Sequence, residues 1–314
     1  MFNSSNKEFW LIGISFFTIY VVWGSTYLAN AWGVAHIPPF ILAATRFVVA
    51  GVALFTLSSI GRKNQITKLQ IKNTIFAGLM LFAIGNGLVV WALKFIDSGI
   101  ASLIVSFQPL VVVFLMWLMR SQKPSIYSWI GVLIGLSGMF LLSGQPNFLS
   151  DPQWVKGVGA IFIALLSWGI CLIWMKDADL PKSIFQSSAL QMIFGGTMMY
   201  VLSIILGEWR DFEISEVPPI AGWSLLYLII PGSILTFSAF NYLIKKVSPD
   251  KVSTSTFVNP VIALLLGNWL NNEMISTQSV LAAALLLTGV LFINGQMQLI
   301  VRHFRPNSST PPAS

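Results

Sequence analysis

The sequence predicts an all-α membrane protein: ten transmembrane helices arranged as two inverted five-helix repeats (5+5), with the N and C termini cytoplasmic. Composition is the first observation behind this. Charged residues make up 9% of the 314 and hydrophobic residues 55%, and the mean hydropathy is +0.78. A soluble domain carries about 25% charged residues. Length patterning is the second, because ten apolar segments approach the roughly 20 residues that cross a bilayer. The third is a repeat. Residues 96–109 read IDSGIASLIVSFQP and residues 247–260 read VSPDKVSTSTFVNP, so Ser102 aligns with Ser253, Gln108 with Asn259 and Pro109 with Pro260. Five spans per copy, an odd number, turn the second copy upside down. Secondary transporters are built this way, with a substrate site near the midplane between the halves.

The segments follow in order. After an N-terminal stretch at 1–9, the first repeat covers 10–143, with spans near 10–30, 38–60, 73–93, 98–119 and 126–143. The first span carries Trp23-Gly24, and the second carries Arg46 and Gly51. The third has Asn86 between two glycines, and the fourth holds the aligned Gln-Pro pair. The fifth contains Gly138, which aligns with Gly289. A polar, Pro-containing link at 144–156 separates the halves. The second repeat covers 157–298, with spans near 157–175, 184–206, 220–243, 251–270 and 278–298. Its sixth span repeats Trp-Gly at 168–169, and its seventh repeats Gly51 as Gly196. Connectors such as RSQKPS and NNEMIS are short and polar, so consecutive helices lie antiparallel. The tail 299–314, rich in Pro and Ser, is expected to be disordered. Residues 10–22 and the Ala29-Asn30-Ala31 triplet could be read as a signal peptide. A weak basic n-region and the repeated Trp-Gly argue instead for a retained span.

Charge sets the orientation. With the N-terminus inside, 14 of the 18 Lys and Arg residues fall in cytoplasmic segments, and Lys94, Lys156 and Arg210 fall outside. An excess of Lys and Arg marks cytoplasmic loops. The formal net charge of +7 is therefore a topology signal, and it gives no nucleic-acid footprint.

Polar residues inside the spans mark the candidate substrate site. Pro109 and Pro260 each lack an N–H and free the carbonyl four residues earlier, so each is expected to break its helix. Around them stand Ser106, Gln108, Thr256 and Asn259. The alternative is that these side chains only repair the helix or join it to a neighbour. Asn86, Trp91, Ser238 and Tyr242 add polar and aromatic groups in spans 3 and 8, and Thr26 adds another in span 1. Trp23 and Trp168 lie deep in spans 1 and 6, where cavity lining and packing around Gly are equally open. Trp10, Trp32, Trp129, Trp154, Trp209 and Trp223 sit at span ends, at headgroup level. Arg46 is the one charge well inside a span. It is either a counter-ion for a substrate carboxylate or a structural arginine bonding backbone carbonyls. Its repeat partner Gln191 and the missing acidic mate favour the second.

Several chemistries find no support in the residues. No Asp or Glu lies at midspan, so gradient-following transport is expected over proton coupling. There is no phosphate-binding glycine loop for ATP. No nucleophile–base pair or metal cluster is visible, so neither catalysis, nor a cofactor, nor a bound metal is expected. The single cysteine, Cys171, is a small apolar filler.

The stretch VVWGSTYLANAWGVAHIPPFILAATRFVVAG resembles the start of EamA-type members of the drug/metabolite transporter superfamily. The resemblance rests on Trp23-Gly24-Ser25-Thr26-Tyr27, Pro38-Pro39 and Arg46-Phe47, then Ala101-Ser102 and Gln108-Pro109-Leu110, with a second copy from Ser253 to Asn259-Pro260. It implies two inverted five-helix bundles, a central cavity lined by spans 1, 3, 4, 6, 8 and 9, and export of small metabolites across the bacterial inner membrane. The family often has Gly-Glu after spans 4 and 9. Here Asn272-Glu273 follows span 9, and Gln122 stands in the first half.

The expected function is export of small organic metabolites, foremost amino acids or related zwitterions, by alternating access. The alternatives are a multidrug exporter of lipophilic compounds and a non-transporting membrane sensor or assembly protein. The expected partners are a small-molecule substrate and the lipid bilayer.

Overall fold

A computed structural model describes residues 4–60, 66–121, 123–143, 151–247, 252 and 255–293. Among these, all regular structure is helical. Among the described residues seven helices are long and apolar enough to cross a membrane: α1 (Glu8–Val34), α2 (Pro39–Ser59), α3 (Lys68–Ala92), α4 (Ser98–Arg120), α6 (Pro152–Met175), α7 (Ile184–Ile205) and α8 (Pro219–Leu243). Between and after them come α5 (Ile126–Ser143), α9 (Ser255–Asn271) and α10 (Thr277–Ile293). The expected tail at 299–314 and most of the link at 144–156 lie outside the described residues.

Two boundaries differ from expectation, and capping explains both. At α3, Thr67 and Gln70 form a capping box, each side chain accepting from the other's backbone N–H, so the helix begins five residues before the apolar run at 73. At α6, the Asp151 carboxylate accepts from the Gln153 N–H and Pro152 takes the first helical position. The helix thus begins inside the stretch expected to be linker.

The proline sites correct a second expectation. Helical geometry stops at Val105 and resumes at Gln108, with Pro109 in the new first turn. Helix α9, however, runs unbroken through Pro260. A proline removes one hydrogen bond, and packing against neighbours can hold a helix across that loss. Here α9 is clamped between α1 and α4.

Glycines show how the halves meet, and they do so reciprocally. A Cβ added at Gly51 of α2 would lie 2.8 Å from the Ala189 carbonyl and 2.9 Å from Ile193 of α7. One added at Gly196 of α7 would lie 3.1 Å from the Ala44 carbonyl and 2.7 Å from Val48 of α2. Residues 44, 48 and 51 correspond to 189, 193 and 196 at one sequence offset. The same exchange joins α5 and α10, where Gly138 faces Ala282 and Leu286 while Gly289 faces Gly131 and Gly135. Contacts that survive this swap are those of a pseudo-two-fold axis. The small residues let backbones touch where lipid supplies no hydrophobic drive.

The connectors group on two faces. On one, Glu208 accepts from the Phe40 and Ile41 N–H groups, and Glu273 accepts from Ser98 N–H and Oγ–H and from Gly99 N–H. On the other, Gln70 donates to Asp179 and Arg120 pairs with Asp177. Ser121 and Asn272, equivalent in the repeat, both take left-handed backbone geometry where α4 and α9 end.

Candidate functional site

The centre of the helical bundle is aromatic. Phe47 of α2 meets Phe82 of α3 edge-on at 4.9 Å, and Phe82 meets Phe237 of α8 at 6.0 Å. Trp23 of α1 then packs on Phe237 at 5.9 Å and on Phe240 at 5.6 Å. This chain of rings joins four helices across the middle.

Widened turns flank it. Residues Leu79–Asn86 in α3 and Ile230–Leu235 in α8 are π-helical, and both segments start at the same repeat position. In α8 the cause is Pro231, which cannot donate to the turn before it. The Ser233 and Thr236 hydroxyls donate to the carbonyls of Leu228 and Pro231. In α3 no proline is present. There the Asn86 amide donates to the Leu81 carbonyl, and Ser167 of α6 donates to the Met80 carbonyl. Such π segments concentrate at functional sites.

Arg46 holds the α8 segment. It is buried, donates from Nε to Ser233 Oγ at 2.9 Å and from Nη2 to the Gly232 carbonyl at 3.2 Å, and lies 4.7 Å from the Phe47 ring centroid. Among the described residues no carboxylate pairs with it. Two of its guanidinium donors are thereby bound to α8.

Gln108 and Asn259 join the halves. Gln108 of α4 donates from Nε2 to the Leu165 carbonyl of α6 at 3.2 Å. Asn259 of α9, with its amide nitrogen turned toward α1, donates to the Tyr20 carbonyl at 3.0 Å and the Ile19 carbonyl at 2.9 Å. Leu165 and Tyr20 are themselves repeat equivalents. The repeated Trp-Gly glycines pack on the same two segments: Gly24 against the Asn259 backbone carbonyl and Ile262, Gly169 against the Gln108 amide and Val111. Among the described residues the buried Oε1 of Gln108 has no hydrogen-bond partner. An unpaired buried acceptor costs about 1–3 kcal/mol, so it is a natural point for a ligand donor.

The remaining candidates divide. Thr26 is buried and donates to the Trp23 carbonyl at 2.6 Å, with its methyl toward Gly232. Ser106 and Ser238 donate to carbonyls of their own helices, Leu103 and Ile234. Trp168 lies against Gly85, and Trp91 meets Phe95 edge-on at 4.8 Å. Tyr242 is half-buried one turn from Lys246. The Thr256 side chain lies outside the described residues. Most hydroxyls are thus already committed to backbone, whereas the Gln108 and Asn259 amides bridge the halves. A cavity of about 840 Å³ opens elsewhere, between α1, α8 and α9; none of the candidate substrate-site residues line it, although Ser25 beside Thr26 and the span-end Trp32 and Trp223 do. Ser224 and Tyr227, which do, were not singled out. The sequence signal that could have found them is their position one turn (Tyr227) and two turns (Ser224) before Pro231.

The profile of the EamA-like transporter family matches residues 10–144 and again 155–295. The chain belongs to this family. Its relatives include the protein named "Uncharacterized inner membrane transporter YedA" of Escherichia coli (strain K12), 32% identical over 280 residues, covering 88% of each chain. The "Uncharacterized transporter YoaV" of Bacillus subtilis (strain 168) is 28% identical over 279 residues, covering 88% of this chain and 94% of that one. A solved crystal structure matches with a TM-score of 0.63 at 18% identity, over 94% of this chain and 99% of the other, which supports the fold. This EamA-family chain is therefore a multi-pass membrane transporter of the bacterial inner membrane. The family and the relatives' names are those of transporters rather than enzymes.

Proposed function

We propose that this EamA-family protein exports a small organic solute, an amino acid or related zwitterion, by alternating access. In this reading all ten helices cross the membrane, in two inverted repeats bounded at 10–143 and 157–298. Both termini and the Asp179 face are cytoplasmic, in keeping with the positive charge gathered there. The single observation that carries the reading is the paired amide contact, Gln108 to Leu165 and Asn259 to Tyr20. Two inverted copies joined by equivalent contacts can exchange conformations, and the exchange moves access from one face to the other. The substrate meets the unpaired Gln108 Oε1 and the rings of Trp23 and Trp168. Arg46 as a counter-ion is the weakest part of the set, since two of its donors are spent on α8.

Uptake of labelled amino acids into proteoliposomes of wild type, Gln108→Ala and Asn259→Ala tests this. Flux in the wild type that falls in both folded variants is expected. Equal flux in all three would overturn the site.

The ring chain from Phe47 to Phe240 favours a second reading, export of lipophilic compounds. Resistance of expressing cells to lipophilic drugs, with no amino-acid flux, would establish it instead.

A further inference from the structure

The cavity of about 840 Å³ lies outside the centre. Its walls are Ser25, Leu28, Ala29 and Trp32 of α1, the segment from Ile220 to Pro231 of α8, and Leu266 and Leu270 of α9. The volume falls within the range of about 300–1,000 Å³ typical of small-molecule sites. No lining residue is charged. Trp223, Ile220, Ile230 and Leu270 stand well exposed at its edge, on surface that faces lipid in a membrane protein. The groove is therefore entered from the bilayer side.

The repeat-equivalent place in the other half is closed. Tyr227 corresponds to Phe76 and Ala29 to Trp174, and those two rings stand edge-on at 4.6 Å. A space filled by aromatic side chains in one half is open in the other.

The polar groups inside share one property: their protons are already used. Ser25 Oγ–H donates to the Val22 carbonyl at 2.8 Å, so in the 2.6 Å pair with Tyr227 it is the tyrosine hydroxyl that donates. Ser224 donates to the Ile220 carbonyl at 2.8 Å. Trp32 donates to Asn271 Oδ1 at 2.9 Å. The exposed Trp223 indole sits at the rim, where interfacial tryptophans meet headgroups. What remains inside is acceptor capacity, the lone pairs of Tyr227 Oη and of Ser224 Oγ one turn before it.

We infer that this groove binds a neutral, lipid-soluble molecule carrying one hydrogen-bond donor, of the phenol or indole class. The apolar body lies against Leu28, Leu266 and the Trp32 ring, and its O–H or N–H points to Tyr227 Oη. Apart from the Trp223 indole N–H at the rim, a carboxylate or phosphate finds no free donor and no cation there. A capped ether of the same shape leaves the acceptors unpaired.

The test measures equilibrium binding, so it stands apart from transport. The full chain in nanodiscs is titrated with radiolabelled 4-octylphenol and with its methyl ether, each corrected for partition into protein-free discs. Saturable binding of the phenol about tenfold tighter than the ether is expected, the size of one hydrogen bond of about 1.4 kcal/mol. The Ser25→Ala/Tyr227→Phe double variant should reduce that ratio at least threefold. Leu226→Trp, which narrows the mouth at a lipid-facing position, should weaken both probes alike. Should the double variant fail to fold, Ser224→Ala supplies the same comparison with a smaller drop. Equal affinity for phenol and ether, a ratio unmoved by the variants, or the absence of saturable binding would each overturn the inference.

Discussion

The reciprocal contacts across α2 and α7 predict that Gly51→Ala and Gly196→Ala destabilise the fold alike. Each places a Cβ inside the contact between α2 and α7. At Gly51 the nearest obstacle is the Ala189 carbonyl at 2.8 Å, a backbone atom that cannot rotate aside. At Gly196 the Val48 side chain stands at 2.7 Å with its backbone N at 3.0 Å. Ordinary contact needs a further half ångström or more, so the helices must separate. Overpacking of this kind costs about 1–3 kcal/mol. Against it stands the gain of alanine over glycine in a helix, roughly 1 kcal/mol. Gly159→Ala and Gly222→Ala isolate that gain, because nothing lies within 4 Å of a Cβ at either position. The contrast between the two pairs is then the packing cost alone, about 1–3 kcal/mol. Thermal unfolding in mild detergent reads it as a lowered midpoint, about 1.5 °C per kcal/mol for a chain of this size. Equal midpoints for all four variants, or a large loss at only one of Gly51 and Gly196, would refute the reasoning.

Gln108→Ala and Asn259→Ala should each lower solute flux about tenfold at near-normal yield, by loss of one bond between halves of roughly 1 kcal/mol plus a substrate contact; proteoliposome uptake beside size-exclusion profiles reads both. Burial raises the Glu208 carboxyl above the ordinary glutamate range, against the lowering effect of the Phe40 and Ile41 N–H groups and of Lys94. A raised value in the folded state means stability is gained on acidification, complete below the ordinary range and lost as pH rises through the folded value. Glu208→Gln should therefore flatten the pH dependence of the unfolding midpoint in that window, and an unchanged profile would count against the assignment. With no midspan carboxylate, export should continue after the proton gradient is collapsed, and solute accumulation driven by an imposed pH step would contradict this.

Much of the architecture was legible because it rests on spacing. The Trp-Gly pair, the Gln-Pro and Asn-Pro pair and the matched glycines sit at fixed offsets, and the backbone approaches they permit are reciprocal in the structure. Side-chain direction was not legible. Spacing alone placed Ser106 and Ser238 near the centre, but their hydroxyls turn back onto their own helices. Equal prolines suggested equal breaks, yet only α4 is interrupted, since the outcome depends on the helices packed around each one. The π segment at 79–86 has no proline to announce it, and Pro231 has no proline at its partner position in span 3. The groove between α1, α8 and α9 exists because a Phe–Trp contact present in one half is absent in the other, and pattern matching that seeks likeness passes over such differences.

The carboxylate clasps have a thermodynamic consequence. Under the alternating access proposed above, interactions present in both halves cancel when inward-open and outward-open forms are compared. Only unmatched interactions set which form is lower in free energy. Glu273 closes four hydrogen bonds around the start of α4 and the Asn271 side chain. Its repeat position holds Gln122, and that of Glu208 holds Lys63. The clasps therefore do not cancel. Each kilocalorie by which they favour the form that keeps that face shut multiplies its population by about five. A chain built from two near-equal halves thus acquires a preferred resting side from a few acidic side chains at one edge.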